Sequence, residues 1–130
     1  MSRNVIATES APSAIGSYSQ AIESDGTVFL SGQIPLVPET MKLVEGGLEA
    51  QLTQVFQNLE NVAKAAGGTL GDVVKVTIYL TDLSEYKVVN EVMQRFFSAP
   101  FPARAVVGVA ALPLGATAEA EAILVQGSSK

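Results

Sequence analysis

The sequence predicts an α+β fold with about six strands in a mixed sheet and two helices packed on one face of it. Short apolar stretches bounded by turn residues occupy the first third and the end of the chain, and they are typical of strands. Two segments between them repeat apolar residues every three or four positions, which is typical of amphipathic helices. At 130 residues and 48% hydrophobic, the chain is long enough for one core and too short for two, so we expect a single domain over residues 1–130.

The first strands are predicted as a hairpin. Residues 15–22 lead into a turn at Ser24, Asp25 and Gly26, and residues 27–31 return along the first strand. Residues 37–47 are predicted as a loop with room for a short strand.

The first helix is predicted over residues 48–66, and the glycine pair at 67–68 ends it. The second helix is predicted to begin near Asp82, because Glu85 follows three residues later in the pattern of a capping box. Prolines 100 and 102 prevent its continuation.

The remaining strands are predicted at residues 72–80, 105–111 and 118–126. The first two of these segments are apolar on both alternating faces, whereas two helices can cover only one face of a sheet. A bare apolar face of this size would aggregate or pair. We therefore expect a homo-oligomer that packs through its sheets.

The residue types that are absent remove much catalytic chemistry. The chain has no His, no Cys and no Trp. It therefore has no Cys nucleophile, no His general base, no zinc site of the usual Cys or His kind and no disulfide. Catalysis would have to use other polar side chains, backbone dipoles and water.

The charge balance restricts the partners. The net charge is −5, from 8 basic and 13 acidic residues, which argues against nucleic-acid binding. No apolar run approaches the roughly 20 residues that span a bilayer, and the N-terminus lacks a secretory apolar core. We expect a cytoplasmic protein that binds neither nucleic acid nor membranes.

Arg104 is the single charged residue between Phe96 and Ala118. A guanidinium among apolar residues is costly unless an acceptor meets it. It could form a structural ion pair with Glu119 or Glu121. Alternatively, it could hold an anionic ligand, since its planar fork can bind a carboxylate through two parallel hydrogen bonds. The residues alone leave both interpretations open.

Other polar residues also have two interpretations. Glu119 and Glu121 lie two apart on a predicted strand, where one could activate water or both could form a solvated edge. Asn90 lies within or beside the apolar stripe of the second helix. Its amide could contact a ligand, or it could form its hydrogen bonds within the protein core or an interface. Tyr18 and Ser31 lie on the first hairpin, where packing and structural roles are usual.

Several segments, taken together and in order, resemble the RidA (YjgF) family of reactive intermediate deaminases. The matching segments are AIGSYSQA at 14–21, LSGQIP at 30–35, GDVVKVTIYL at 71–80, VN at 89–90, FPARA at 101–105, LP at 112–113, and the two glutamates 119 and 121. The resemblance implies a chorismate-mutase-like α+β fold, a homotrimer, and ligand clefts between subunits. Val106 stands where many relatives have Cys, so the resemblance supports no thiol-based role here.

The resemblance also implies an activity, the hydrolysis of enamine or imine forms of 2-amino acids to 2-oxo acids and ammonia. Examples are 2-aminoacrylate, 2-iminopropanoate and 2-iminobutanoate. By this resemblance Arg104 grips the substrate carboxylate, Glu119 orients the attacking water and Tyr18 lies near the imine nitrogen. Ser31, Gly32 and Asn90 complete the pocket. An imine carbon is already electrophilic, so the reaction is expected to need no metal and no cofactor.

Two other functions remain open at this point. A non-catalytic binder or sensor of 2-oxo acids would need Arg104 but not Glu119. A ribonuclease or translation-inhibitor role is attached to some relatives, but the net acidity, the absence of His and the lack of a basic patch count against it.

Overall fold

The structure is a computed structural model and describes residues 2–129. Its two helices are α1 (Leu48–Ala65) and α2 (Tyr86–Phe96). Its strands are β1 (Asn4–Ile6), β2 (Ala21–Ser24), β3 (Thr27–Gln33), β4 (Leu36–Val37), β5 (Lys42–Leu43), β6 (Val73–Leu80), β7 (Ala103–Gly108) and β8 (Ala118–Val125).

Six of these strands form one mixed sheet in the order β1-β2-β3-β8-β6-β7, and β4 pairs with β5 separately. The strands β6 and β7 are parallel, and the other neighbours in the sheet are antiparallel. Parallel neighbours need a crossover connection, which α2 supplies between β6 and β7. Within residues 2–129, no helix has both the length and the hydropathy to cross a membrane.

The core lies between the two helices and one face of the sheet. Helix α1 buries Leu52, Val55, Phe56, Leu59 and Val62 completely, and α2 buries Val89 and Val92. The sheet meets them with every second residue of β6 and β8, namely Val76, Ile78 and Leu80 with Ala118, Ala120, Ala122 and Leu124. The alanines of β8 are small, so α1 can lie close to the centre of the sheet.

The predicted α+β architecture is confirmed, with two helices and a six-stranded mixed sheet. The structure differs in detail at the ends of the chain. Strand β1 was not predicted, and the first hairpin begins at Ala21 because residues 15–20 are irregular. Strand β7 begins at Ala103 rather than at 105, which brings Arg104 into the sheet.

The open face of the sheet is less apolar than predicted. The residues of β6 that alternate with its buried ones are Lys75, Thr77 and Tyr79, so this strand presents polar and aromatic groups there. The prediction of a bare apolar face is therefore wrong for β6. Exposed apolar residues lie on other strands of this face, with Phe29 of β3 51% exposed and Val107 of β7 40% exposed.

Candidate active site

The predicted site residues lie in two separate clefts. The glutamate cleft has a volume of about 500 Å³ and is lined by Ile15, Tyr18, Ser31, Gly32, Ile34, Pro113, Glu119 and Glu121. The arginine cleft has a volume of about 240 Å³ and is lined by Asn90, Met93, Gln94, Phe101, Pro102 and Arg104. Each cleft therefore holds part of the predicted set.

The strand register explains the separation. Arg104 pairs with Val76, which in turn pairs with Ala122, and both of these are buried beneath the helices. Glu119 pairs with Tyr79 of β6, and Tyr79 alternates with the buried residues of that strand such as Val76. Since side chains alternate between the faces of a sheet, Arg104 lies on the helix side and Glu119 on the open side.

This geometry excludes the predicted ion pair between Arg104 and Glu119 or Glu121 within one chain. Glu121 pairs with Thr77 and shares the open face with Glu119. Within residues 2–129 the salt bridge is a different one, Arg95 to Glu49 at 2.9 Å on the surface of the helices.

Three side chains of α2 surround the Arg104 guanidinium. Its Nη1 donates to Asn90 Oδ1 at 2.6 Å, and its Nη2 donates to Tyr86 Oη at 2.6 Å. The sulfur of Met93 lies 3.5 Å from Nη1, and the Tyr86 ring centroid lies 5.5 Å from Cζ. Positions 86, 90 and 93 follow one another along a single face of the helix. All three partners are neutral, so no carboxylate among them compensates the positive charge.

Glu119 is half-buried beside the backbone of β3. The sheet has a bulge between Leu30 and Gln33, which takes Ser31 and Gly32 out of register with β8. A Cβ added at Gly32 would collide with Glu119 Oε2. The glycine therefore lets the carboxylate lie directly against the chain.

The environment of Glu119 favours its protonated form. Burial, followed by the negative charge of Glu121, raises the pKa of Glu119 above its ordinary value. Tyr79 lies beside it on β6, and desolvation together with the charges of Glu121 and Glu119 raises the pKa of this phenol. A carboxylate whose pKa is raised is a stronger base than an ordinary one, which suits a group that accepts a proton from water.

Tyr18, in the irregular segment before β2, and Ser31, at the bulge of β3, both line the glutamate cleft. Ser31 Oγ donates to the carbonyl of Ser19 at 2.5 Å, and Ser31 N donates to the carbonyl of Gln20 at 3.0 Å. Tyr18 is 49% exposed, and its Oη accepts a hydrogen bond from Ile15 N at 3.4 Å. Ser31 therefore holds the segment that carries Tyr18, and its oxygen keeps acceptor capacity for a ligand.

Two residues with a structural influence on the site escaped the sequence analysis. Gln20 is buried, and its Nε2 donates to the carbonyls of Thr8 at 3.0 Å and Pro12 at 2.7 Å, which fixes the segment ahead of Tyr18. Tyr86 is the other residue, and its hydroxyl accepts a hydrogen bond from Arg104. Its spacing of four residues from Asn90 was the available signal.

Comparisons with known proteins identify the family of the chain. A protein-family model described as Endoribonuclease L-PSP matches residues 8–126. The chain belongs to this family, which is the RidA (YjgF) family. The prediction of the family from sequence segments is confirmed.

Two sequence relatives and one solved structure show how far the likeness extends. The chain is 46% identical over 125 residues to the 2-iminobutanoate/2-iminopropanoate deaminase of Mus musculus, covering 96% of this chain and 93% of the mouse protein. It is 49% identical over 121 residues to Reactive Intermediate Deaminase A, chloroplastic, of Arabidopsis thaliana. That match covers 93% of this chain, which spans only 65% of the plant protein.

The solved structure is that of RidA from the Antarctic bacterium Psychrobacter sp., with a TM-score of 0.91 and 52% identity. The match covers 94% of this chain and 98% of the bacterial one. The expected RidA fold is therefore confirmed.

Among residues 2–129, no three or more acidic side chains are grouped so as to hold a metal ion. That the reaction uses no metal and no cofactor stays a prediction.

Proposed function

We propose that this protein hydrolyses the enamine and imine forms of small 2-amino acids, such as 2-iminopropanoate and 2-iminobutanoate, to 2-oxo acids and ammonia. The observation that carries the proposal is the Arg104 guanidinium, which is held by neutral partners and forms no ion pair with a carboxylate of residues 2–129. Such a cation is suited to binding a small carboxylate. The deaminase names of relatives that match almost the whole chain support the same reaction.

The chemistry requires a water molecule and two proton movements. Arg104 holds the substrate carboxylate and so fixes the position of the adjacent C=N carbon. Water adds to this carbon while Glu119 accepts one of its protons. The same carboxyl group returns this proton to nitrogen, which gives a carbinolamine. The hydroxyl proton of the carbinolamine then passes through Glu119 to nitrogen, the C–N bond breaks, and ammonia leaves with the electron pair. The product keeps the water oxygen as its 2-oxo group, and Tyr18 lies near the departing nitrogen.

We further propose that the complete site forms between two copies of the chain. Arg104 and Glu119 lie on opposite faces of one sheet, so a single chain cannot bring both to one small substrate. In this arrangement the arginine cleft of one copy faces the glutamate cleft of the next. A homotrimer closes such a head-to-tail contact. The exposed apolar residues beside the glutamate cleft, Ile15 at 64% and Leu114 at 63%, are suited to burial in this contact.

The assembly has a direct test. Size-exclusion chromatography with light scattering is expected to give a trimer, with no stable folded monomer at micromolar concentration. A well-folded monomer would rule out the shared site.

A second candidate function is the non-catalytic binding of 2-oxo acids. The observation in its favour is that the arginine cleft, with Asn90 and Tyr86 on the guanidinium, is complete within one chain. This function would leave the half-buried Glu119 without a role.

The decisive experiment measures catalysis. A pyridoxal-phosphate enzyme generates 2-aminoacrylate or 2-iminobutanoate in the cuvette, and the release of 2-oxo acid is followed with and without this protein. The proposed function predicts faster release, and Glu119→Gln is expected to abolish most of the acceleration. Binding of 2-oxobutanoate without any acceleration would instead support the sensor.

RNA cleavage is not expected, since the net charge is −5. A cytoplasmic location also stays a prediction, and microscopy of a fluorescent fusion would test it.

A further inference from the structure

The hydroxyl of Tyr86 contacts Arg104 from the first residue of α2. Its Oη lies 2.6 Å from Nη2, and the Tyr86 side chain is 42% exposed. The start of the helix is itself well anchored. A 3₁₀ turn at Leu83–Glu85 precedes it, and Asp82 Oδ1 accepts hydrogen bonds from Ser84 N at 3.0 Å and from Ser84 Oγ at 2.7 Å. The tyrosine is thus placed by a capped turn.

Together, Tyr86 and Asn90 hold the guanidinium at two corners. Asn90 accepts from Nη1 and Tyr86 accepts from Nη2, from successive turns of one helix. A guanidinium has five N–H groups in a rigid plane, so two bonds to different nitrogens restrict its rotation. Because Nη1 also donates to the Met93 sulfur, the contacts among residues 2–129 leave the second N–H of Nη2 and the N–H of Nε for a ligand. A free arginine side chain would lose much rotational freedom when it binds a carboxylate. One that is already held loses less, and it binds more tightly.

We propose that Tyr86 is a positioning residue that fixes Arg104 in the orientation in which it receives the substrate carboxylate. This inference rests on the proposed function of Arg104. Asn90 belongs to the set implied by the family resemblance, whereas Tyr86 does not. The phenol oxygen acts through Arg104 and touches neither the C=N carbon nor the attacking water. Its loss therefore weakens the binding of carboxylate ligands and leaves the chemical step almost unchanged.

The test removes one oxygen atom. Tyr86→Phe keeps the ring beside the guanidinium and deletes the acceptor for Nη2. Because Tyr86 is 42% exposed, water can partly replace the hydroxyl. The expected result is a rise of roughly 3- to 20-fold in both KM and the Kd for 2-oxobutanoate. This is the effect of losing one hydrogen bond to a charged donor, reduced because water partly replaces the hydroxyl. The kcat is expected to change by less than about twofold. The control Glu91→Gln alters an exposed residue of the same helix and is expected to change neither constant.

A second measurement reports on position itself. In ¹⁵N NMR spectra, the Arg104 guanidinium, identified by its disappearance in Arg104→Lys, is expected to show slow rotation about Nε–Cζ in the unmodified protein. Faster rotation is expected in Tyr86→Phe. If the Tyr86 hydroxyl served only folding, a Tyr86→Phe protein with an unchanged melting temperature would show unchanged rotation of the Arg104 guanidinium.

The outcomes separate this inference from the proposed function. If the unmodified protein binds 2-oxobutanoate without turning over imines, and Tyr86→Phe weakens that binding, the enzyme proposal fails and the role of Tyr86 stands. If imines are hydrolysed and Tyr86→Phe matches the unmodified protein in KM, Kd and guanidinium rotation, the role of Tyr86 is refuted. A large fall in melting temperature with an unchanged Kd would also refute it, since the hydroxyl would then serve folding. If the unmodified protein neither hydrolyses imines nor binds 2-oxobutanoate, both are overturned.

Discussion

Replacing Arg104 with lysine keeps the positive charge and removes the geometry on which the proposed site depends. The guanidinium already donates to Asn90 and Tyr86, each at 2.6 Å, and must offer further N–H groups to a carboxylate. A lysine ammonium has one nitrogen and cannot reproduce a bidentate contact from that position. Loss of a hydrogen-bonded charge pair costs about 2 to 5 kcal/mol. Because Arg104 is only half-buried, we expect the lower part of this range, about 2 to 3 kcal/mol, or roughly 30- to 160-fold in kcat/KM.

Folding is expected to be much less affected, because Arg104 makes no ion pair with the part of the chain that the structure describes. The melting temperature of Arg104→Lys should stay within about 2 °C of the unmodified protein. Arg95→Lys is the matched control. It makes the same replacement at an exposed ion pair with Glu49, where the contribution to stability is about 1 kcal/mol or less and no effect on turnover is expected. Imine hydrolysis and thermal unfolding are measured on both variants. A strongly destabilised Arg104→Lys with near-normal turnover per folded site would refute the assignment of Arg104 to substrate binding.

Three further predictions concern Glu119 and its surroundings. Glu119→Gln should slow turnover by about 10²-fold while the Kd for 2-oxobutanoate is retained, as expected for a positioned general base; unchanged turnover would show that another group handles the water. The same variant should be more stable at neutral pH by a few tenths of a kcal/mol to about 1 kcal/mol, since burial and Glu121 disfavour the charged carboxylate. Because the pKa of Glu119 is raised, this stability deficit of the unmodified protein disappears as the pH falls below the ordinary value of 4.5. The melting curves of Glu119→Gln and the unmodified protein should therefore differ at pH 7 and coincide at pH 4. Gly32→Ala should lower kcat by about tenfold or more, because the added methyl group displaces the Glu119 carboxylate. Gly47→Ala, where an added Cβ meets nothing within 4 Å, is the control, and equal activity of the two variants would disprove the role of the close approach.

The helices were the most predictable part of the fold. The apolar repeat predicted the first helix over residues 48–66, and the structure has α1 at Leu48–Ala65. This repeat is local and needs no knowledge of the partner. Strand β1 escaped prediction because three residues, Asn4–Ile6, show no alternation, and their pairing with Ala21–Ser24 is a long-range contact.

Sequence segments nominate the candidate site residues, whose roles stay predictions, but the relative placement of these residues could not be predicted. Whether Arg104 meets Glu119 depends on the register of three strands, and a shift of one residue turns a side chain to the other face. Since β7 begins at Ala103, Arg104 is paired with Val76 and lies on the helix side. The bulge at Ser31 and Gly32 is likewise a property of the pairing of β3 with β8.

The central claim is that a complete site takes Arg104 from one copy of the chain and Glu119 from the next. It is tested most directly by mixing the two inactive variants, Arg104→Lys and Glu119→Gln, under conditions of subunit exchange or by co-expressing them in equal amounts.

In random assemblies, each shared site has one chance in four of receiving both native residues, so the mixture should recover about a quarter of the unmodified turnover per chain. If both residues acted within one chain, every site would carry a substitution. A mixture no more active than its parents, with exchange verified by mass spectrometry of the assemblies, would contradict the shared site.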